Sequence, residues 1–472
     1  MTSRSAKMIF SPHKSVVHPA SLEAARNVGL ACEDVGMKFS VERDALAEAV
    51  TWVARALPAR PVVPLLSGLL VRAGQNEHGQ DEHGQDEGDP AGGPGWLTLA
   101  CFDYEVSARM RVRAEVSEPG TFLVPGRLLM EIIRSLPGYP VEFADDPDGV
   151  SVTCGEASFA LATLPLGEYP ELPDLPHVAG TVDGDEFATA IGQVTPSASR
   201  DDTLPMLTAV NVELDGPTMT LAATDRYRLA VRDLTWNPAP GTPAEASAAK
   251  ASAAKASAAK AADGPGRTAL LVPAKTLADA ARMMAHGGEV KIMLRTGADG
   301  TGSTAPDLGG AGATDAMIGF ESGERRLTTR LLAGEFVKYR SRFPEEFGCT
   351  ADLPAETFAE AVRRVALVAE RGTPVQLSFT QGQVTIGAGT QGQARARETV
   401  PAEFSGDEPS IAFSPHYLLD GVLAAMAAPG TDETNADETV RLRFTSASKP
   451  AVITPSSGQR FRYLVVPQRV SR

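Results

Sequence analysis

Apolar residues recur along the chain with two spacings, one typical of helices and the other typical of strands. In the stretch 41–57 they fall at steps of four, three and four residues, which places them on one face of an α-helix. The residues on that face are Leu46, Val50, Val53 and Leu57. Apolar and polar residues alternate in 158–163, as in a strand with one buried face. These patterns predict amphipathic helices packed on half-buried strands.

The order of these patterns repeats along the chain. Residues 98–104 (Thr-Leu-Ala-Cys-Phe-Asp-Tyr) match residues 220–226 (Thr-Leu-Ala-Ala-Thr-Asp-Arg). A strand that runs directly into a helix is predicted three times, at 122–129, 270–277 and 411–418. We therefore expect three versions of one unit. The predicted domains are residues 37–180, 181–348 and 349–472.

Three segments do not fit the repeat. Residues 1–36 are expected to be a disordered extension. The alternative is that an upstream start codon was assigned in error. The insertion at 75–95 contains six acids without Lys or Arg, and its Gly-rich context predicts a solvated loop rather than a metal site at His78 and His83. The insertion at 241–266 includes three copies of Ala-Ser-Ala-Ala-Lys. It is interpreted as a semi-rigid helical spur, with a DNA-touching arm as the alternative.

Composition and motifs give no support for catalysis. Residues 387–392 match the glycine pattern of dinucleotide-binding loops, but alternating residues on both sides predict a hairpin turn instead. The four cysteines have no paired spacing, which indicates neither a zinc site nor a disulfide framework. No metal, cofactor or membrane span is expected, and a cytoplasmic location is predicted.

Several motifs in order resemble the bacterial DNA polymerase III β subunit family, the sliding clamps. They are Met-Lys-Phe-Ser-Val-Glu-Arg at 37–43, Arg-Pro at 60–61 with Pro-Leu-Leu at 64–66, residues 224–230, and Tyr-Leu-Val-Val-Pro at 463–467. Residues 200–207 look most like clamps of high-GC Gram-positive bacteria, the actinobacterial type. The resemblance runs from about residue 37 to residue 470.

This resemblance implies an α+β fold of three tandem clamp domains. Two chains would close head to tail into a ring, with helices lining the channel and antiparallel sheets outside. By resemblance, Phe159 and Leu161 lie on an edge strand that meets Leu367 and Val368 of a second subunit. Ordinary alternation of core and surface residues is the other interpretation of that strand.

The chain has 44 Lys and Arg against 59 Asp and Glu, a net charge of −15. That charge argues against a protein that coats nucleic acid, but a ring around duplex DNA needs only a modest basic lining. By resemblance, Arg60, Lys275 and the neighbourhood of Arg200 face the DNA. Helix position adds Arg127 and, more weakly, Arg134, Arg282, Arg363 and Arg364. For each of these residues, a solvated helix face is the other interpretation.

The resemblance also implies a peptide-binding groove between the second and third domains. Its expected ligands are peptides of the polymerase III α subunit, the clamp loader, other polymerases and repair proteins. The groove residues that the resemblance implies are Leu207, Thr224, Arg226, Tyr227, Arg228, Leu229, Val337, Ser341, Arg342, Leu464, Val466, Pro467, Gln468, Arg469 and Val470. Apolar walls would take the apolar side chains of the peptide, and Arg228 or the backbone would orient it.

Some groove positions depart from the family pattern. Val337 stands where proline is usual, Ser341 and Arg342 replace an apolar residue, and the tail at 466–470 is Val-Pro-Gln-Arg-Val. These changes suggest a divergent second clamp with a shifted partner preference. The main interpretation is a non-catalytic processivity factor of DNA polymerase III. The alternatives are a non-encircling adaptor for repair, and an enzyme whose site would be the region of Asp225.

Overall fold

The computed structural model describes most of the chain. The described residues are 37–74, 95–240, 268–284, 288–295, 316–370, 372–389, 394–407, 410–427, 439–458 and 460–469. The predictions for residues 1–36, for the acidic insertion up to residue 94, for the repeat at 246–260 and for Val470 lie outside them.

The first domain contains two helices and eight strands in its described part. Its elements are β1 (Lys38–Val41), α1 (Arg43–Ala54), β2 (Gly68–Gly74), β3 (Gly95–Phe102), β4 (Val106–Glu118), β5 (Gly120–Pro125), α2 (Gly126–Ser135), β6 (Val141–Asp146), β7 (Gly149–Cys154) and β8 (Ala157–Leu161).

The second domain repeats this order. Its elements are β9 (His177–Asp183), α3 (Gly184–Val194), β10 (Ala209–Asp215), β11 (Thr218–Thr224), β12 (Arg228–Thr235), β13 (Asn237–Pro238), β14 (Thr268–Pro273), α4 (Ala274–Met284), β15 (Glu289–Arg295), β16 (Met317–Ser322) and β17 (Arg325–Arg330). Strand β9 begins before residue 181, the predicted start of this domain.

The third domain follows the same order again. Its elements are β18 (Cys349–Pro354), α5 (Ala355–Ala366), β19 (Val375–Thr380), β20 (Gln383–Gly389), β21 (Arg395–Pro401), β22 (Glu403–Ser405), β23 (Ser410–Phe413), α6 (Pro415–Met426), β24 (Thr439–Phe444), β25 (Ala451–Pro455) and β26 (Phe461–Val465).

The repeat predicted from the sequence is confirmed in backbone detail. Within the described ranges, the two non-glycine residues with positive φ are Tyr104 at 75° and Arg226 at 81°. They occupy matched positions of the β3–β4 and β11–β12 hairpins. The glycine pattern at 387–392 begins within β20, whose last residue, Gly389, pairs with Arg395 of antiparallel strand β21. The predicted hairpin, rather than a dinucleotide-binding loop, is therefore confirmed.

The sheets run without interruption across both domain boundaries. Strand β17 of the second domain pairs antiparallel with β4 of the first, where Arg326 lies opposite Arg109. Strand β26 of the third domain pairs in the same way with β12 of the second, where Leu464 lies opposite Leu229. Among the described strands, β8 pairs with β7 alone and β21 with β20 alone. These two strands are edges of sheets in the first and the third domains, as are five other described strands with one partner each, β5, β13, β14, β22 and β23.

The helices pack in pairs within each domain, α1 beside α2, α3 beside α4, and α5 beside α6. The predicted face of α1 is confirmed, because Leu46, Val50 and Val53 are fully buried in the core. Trp52 of α1 donates its indole Nε1–H to the carbonyl oxygen of Met283 in α4, at 3.2 Å. This buried hydrogen bond joins the helix layers of the first two domains.

Helix α6 lies so close to β26 that one of its positions accepts only glycine. A Cβ on Gly421 would overlap the ring of the buried Tyr463. We expect Gly421→Ala to destabilise the third domain by about 1–3 kcal/mol, the usual cost of overpacking. Differential scanning calorimetry measures this as a lower Tm.

The matched control is Gly192→Ala in helix α3. A Cβ there meets no atom within 4 Å, so the better helix propensity of alanine is expected to stabilise by roughly 0.5–1 kcal/mol. An unchanged Tm for Gly421→Ala would contradict the tight packing of α6 on β26.

Candidate functional site

The hairpin between β11 and β12 is held by side-chain hydrogen bonds to its own backbone. Thr224 donates its hydroxyl to the carbonyl oxygen of Arg228 at 2.6 Å. One carboxylate oxygen of Asp225 accepts the backbone N–H groups of Tyr227 and Arg228, at 3.0 and 3.1 Å. These bonds fix the left-handed turn at Arg226 and send Arg226 and Tyr227 outward, while Arg228 turns inward.

Arg228 ties this hairpin to the third domain. Its guanidinium is 7% exposed and donates Nε–H to Asp225 at 2.9 Å, and Nη1–H to Asp420 of helix α6. It also lies 4.6 Å from the ring centre of Tyr417. Burial lowers the pKa of Arg228, but Tyr463, Asp420 and Asp225 together raise it above its ordinary value. The guanidinium is therefore held as a charged link between two domains.

An apolar cluster lies beside this link, on the outer face of the β12–β26 junction; we call it the groove cluster. Its buried members are Ala222, Leu229, Val231, Tyr339 and Leu464, and its half-buried members are Phe336, Phe343 and Val466. The structure thus brings together three residues predicted from the sequence, Leu229, Leu464 and Val466. Leu207 is also buried, but it lies outside this cluster, at the end of the 3₁₀ turn Pro205–Leu207.

A buried carboxylate anchors one wall of the groove cluster. Glu213 of β10 accepts the hydroxyl of Tyr339 at 3.0 Å and the Arg340 guanidinium at 2.5 Å. Its other oxygen accepts the amide of Asn211 at 2.9 Å. Burial raises the pKa of Tyr339, so its hydroxyl remains a neutral donor. Sequence reasoning missed Glu213, although a charged residue within the apolar strand Val-Asn-Val-Glu-Leu was a usable signal.

Exposed residues border the groove cluster on the segment 336–343 and on the β11–β12 hairpin. Val337 is 41% exposed, and Ser341 and Arg342 lie on the surface. Thr224 is buried, whereas Arg226 and Tyr227 are exposed. The segment 336–343 therefore presents one buried face to the cluster and one open face to solvent.

The C-terminal tail crosses from the second domain to the third. The N–H of Val466 donates to the carbonyl oxygen of Tyr227 at 2.9 Å, and the N–H of Gln468 donates to that of Ala412 at 2.8 Å. Pro467 is half-buried between them, and Gln468 and Arg469 are exposed. The ring of Tyr227 stacks on that of Tyr417 with centres 6.2 Å apart. Tyr417, which sequence reasoning missed, thus lies where tail, hairpin and helix α6 meet.

The basic residues expected to face DNA are exposed. Arg60, Arg127, Arg200 and Lys275 all lie on the surface, and none forms an ion pair within the part of the chain that the structure describes. Arg134 and Arg363 are exposed as well. Two weaker candidates are already neutralised, because Arg282 pairs with Asp279 at 2.7 Å and Arg364 with Glu398 at 2.7 Å.

The residues expected at a subunit interface lie in the first and the third domains. Phe159 on β8 is half-buried, and Leu161 is buried in the core of the first domain. Leu367, just after helix α5, is 84% exposed, and Val368 is half-buried.

Neither a metal site nor a membrane-spanning helix is found in the described ranges. No group of three or more metal-ligating side chains converges there. None of the helices in those ranges combines the length and the apolarity needed to cross a bilayer.

Three family models match this chain, one for each domain. The chain matches the DNA polymerase III beta subunit N-terminal domain at residues 37–78 and 94–173, the central domain at 181–247, and the C-terminal domain at 340–469. The chain belongs to the DNA polymerase III beta subunit family. The resemblance to this family read from the sequence is therefore confirmed.

Relatives in this family match along most of the chain. The beta sliding clamp of Streptomyces coelicolor is 44% identical, over 92% of this chain and 100% of that protein. The beta sliding clamp of Micrococcus luteus is 44% identical, over 77% of this chain and 99% of that protein. The crystal structure of the DNA polymerase sliding clamp from Bacillus subtilis superimposes with a TM-score of 0.71 at 22% identity, over 92% of this chain and 100% of that one. That likeness confirms the predicted α+β fold of three clamp domains.

Removal of the Arg228 side chain should loosen the contact between the second and third domains. We expect Arg228→Ala to destabilise the protein by about 3 kcal/mol, because Asp225 and Asp420 would remain as partly buried, unpaired charges. This corresponds to a fall of roughly 6–12 °C in the Tm of a domain of this size.

The control for this variant is Arg226→Ala. Arg226 is an exposed residue of the same hairpin, and its replacement should change stability by no more than about 0.5 kcal/mol. Equal losses in the two variants, measured by calorimetry, would contradict the role of Arg228 as a link between domains.

Proposed function

We propose that this chain is a DNA sliding clamp, a non-catalytic processivity factor of DNA polymerase III. Two copies close head to tail into a ring around duplex DNA in the cytoplasm. The ring tethers the polymerase α subunit, the clamp loader, other polymerases and repair proteins through short peptides. The observation that carries this proposal is that, in the described part of the chain, β8 of the first domain and β21 of the third each have one free edge. These edges occupy the places at which β17 pairs with β4, and β26 with β12, to close the two internal boundaries.

The two internal boundaries use the same register. At the first, Ser107 of β4 lies opposite Thr328 of β17. At the second, Leu229 of β12 lies opposite Leu464 of β26. Ser107 and Leu229 are matched positions of the repeat, because they pair with the ends of the preceding strands, Phe102 and Thr224. One rule therefore joins each domain to the next.

The same rule predicts how a second chain docks. Strand β8 matches β17, because both follow a tight turn with glycine in the left-handed region, Gly155 at 58° and Gly323 at 56°. Ala160 is thus the counterpart of Thr328. In the third domain, Arg395 pairs with the end of the preceding strand, Gly389, and is the counterpart of Ser107. In a head-to-tail dimer, Ala160 of one chain would lie opposite Arg395 of the other.

Side chains beside these edges support the same contact. Helix α5 contacts β21, and Leu367, the residue after this helix, is 84% exposed. Half-buried Phe159 lies on strand β8. Closing the ring pairs both exposed strand edges and covers apolar surface, which removes two sites of aggregation.

Duplex DNA in the ring would meet the basic residues without sequence readout. Arg60, Arg127, Arg200 and Lys275 supply long, exposed cations that can contact phosphates as the ring slides. The excess of acids elsewhere on the chain disfavours binding of DNA to its outside.

The groove cluster supports the tethering function. Leu229, Leu464 and Val466 line an apolar surface bordered by Tyr227, Tyr417 and the segment 336–343. A peptide would insert apolar anchors there and find polar groups of Arg226, Ser341, Arg342 and the tail at the rim. The departures at Val337 and Ser341 would shift partner preference rather than abolish binding.

The dimer register can be tested by disulfide cross-linking. We expect Ala160→Cys combined with Arg395→Cys to give covalent dimers on oxidation, because directly opposed residues lie about 4.5–5.5 Å apart. The measurement is non-reducing gel electrophoresis, in a chain with Cys32→Ser. The native Cys101, Cys154 and Cys349 are buried and should not compete.

The matched control is Ala160→Cys combined with Arg397→Cys. That pair is diagonal across the predicted strands, at about 7–8 Å, beyond the reach of an unstrained disulfide. Equal cross-linking of both pairs would refute the register. Monomers in both would refute the closed ring.

Contact with phosphates can be tested by the salt dependence of binding to a short labelled duplex. Lys275→Gln should reduce the slope of log K against log salt by about 0.9, the value for one lost phosphate contact. Arg282→Gln is the control, because Arg282 is already paired with Asp279, and it should leave the slope unchanged. Equal slopes for wild type and Lys275→Gln would remove Lys275 from the DNA-facing set.

A further inference from the structure

The helices beside each internal domain boundary are joined by a hydrogen bond that recurs at matched positions. At the first boundary, Trp52 of α1 donates its indole Nε1–H to the carbonyl oxygen of Met283 in α4, at 3.2 Å. At the second, Gln193 of α3 donates its side-chain amide to the carbonyl oxygen of Ala424 in α6, at 2.7 Å. Trp52 is 4% exposed and Gln193 is 2% exposed. Two unlike side chains thus make the same buried contact.

Helix position defines both the donor and the acceptor. Each donor is the tenth residue of the first helix of its domain, counted from Arg43 in α1 and from Gly184 in α3. Each acceptor is the tenth residue of the second helix of the following domain, counted from Ala274 in α4 and from Pro415 in α6. The count follows the packing, because the fourth residue of the second helix is a buried leucine in every domain. These leucines are Leu129, Leu277 and Leu418.

The same count in the third domain leads to Arg364. It is the tenth residue of α5, which begins at Ala355, and its side chain is 54% exposed. In a head-to-tail ring, the domain that follows the third is the first domain of the partner subunit. The tenth residue of α2, which is also its last, is Ser135. The position that is buried at both internal boundaries is therefore exposed where a boundary would form with a second chain.

Arg364 is already oriented for such a contact. Its Nε–H and Nη2–H donate to the two carboxylate oxygens of Glu398, at 3.1 and 2.7 Å, and its Nη1–H donates to Glu360 at 3.2 Å. A guanidinium has five N–H groups, so two remain for a further acceptor. Because Glu360 lies on α5 and Glu398 on β21, they hold the guanidinium from two elements. This reduces the entropy that is lost when it binds a partner.

The C-terminal end of α2 offers the acceptor. The last four carbonyl groups of a helix have no donor within it. Arg43 donates to the carbonyl oxygen of Arg134 at 3.0 Å, whereas that of Ser135 has no donor in the part of the chain that the structure describes. A cation at this end of a helix is favoured by the helix dipole. The two carboxylates that accompany Arg364 would offset the positive charge of Arg43 and Arg134.

We propose that Arg364 donates N–H to the carbonyl oxygen of Ser135 of the partner subunit and thereby joins the helix layers of the two subunits. The inference rests on the proposed clamp function, because it requires the head-to-tail ring. It assigns Arg364 to a subunit contact rather than to the DNA-facing set. A charged donor distinguishes this boundary from the two internal ones, whose donors are a neutral indole and a neutral amide.

The test measures the dimer Kd of the full chain by sedimentation velocity with fluorescence detection. The dye is placed on Lys449→Cys, an exposed site in the third domain, in a chain with Cys32→Ser. Arg364→Met keeps the length of the side chain and removes its donors. Loss of a charge-assisted hydrogen bond weakens a contact about tenfold. Because a ring of two chains has two such boundaries, we expect the dimer Kd to rise roughly a hundredfold.

Arg364→Gln is the rescue variant, because Gln193 makes the matched contact at the second boundary. It should recover most of the affinity that Arg364→Met loses. An arginine that served only to pair with Glu360 and Glu398 would not be replaced by a neutral glutamine in this way. The matched control is Arg363→Met, since Arg363 is the exposed neighbour on α5. Its replacement should leave the dimer Kd unchanged.

Two outcomes would overturn the contact and leave the clamp proposal standing. These are an unchanged Kd for Arg364→Met in a dimeric protein, and equal weakening by Arg364→Met and Arg364→Gln. A wild-type chain that remains monomeric would overturn the contact and the clamp proposal together. Disulfide cross-linking of Ala160→Cys with Arg395→Cys reports the strand contact independently of Arg364. The two failures are therefore distinguishable.

Discussion

Antiparallel strand pairing across domain boundaries is the constraint on which the rest of this structure depends. Each boundary is closed by backbone hydrogen bonds between the last strand of one domain and a strand of the domain before it, in one register. Backbone pairing requires no particular side chains, so the outward positions of the joined strands can diverge. In the described part of the chain, this rule leaves two strands without the boundary partner that it supplies elsewhere, β8 in the first domain and β21 in the third. Pairing those edges with a second copy is the direct way to satisfy them.

The same frame carries different side chains at its two boundaries. At the second boundary, the outward positions are apolar, and the buried Glu213 holds Tyr339 against them. At the first boundary, the counterparts are Ser107, Thr328 and Arg109. Arg228 adds rigidity at the second boundary, because its ion pairs with Asp225 and Asp420 span two domains. The strand register is the same at both boundaries, and the outward side chains differ between them.

Local sequence signals predicted the repeated unit, whereas the clamp fold was inferred from the resemblance to the family. The spacing of Leu46, Val50 and Val53 predicted the buried face of α1. The match of 98–104 to 220–226 predicted equivalent segments, and the structure adds that Tyr104 and Arg226 both have positive φ. The site was predicted only in part. Leu229, Leu464 and Val466 meet as expected, but the partners of Arg228 and Tyr339 were missed. Those contacts join residues 192 and 126 positions apart, and no periodicity within a segment reports a side-chain contact over such a separation.

The most direct test of the central claim is retention on circular, nicked DNA after loading by the cognate clamp loader. Electrostatic contacts weaken steeply as salt rises, whereas a closed ring is held by topology. The account predicts that the protein stays on the circle in high salt and is released when the circle is cut. Equal loss from circular and linear DNA would contradict ring closure and would leave a groove-bearing adaptor as the better description.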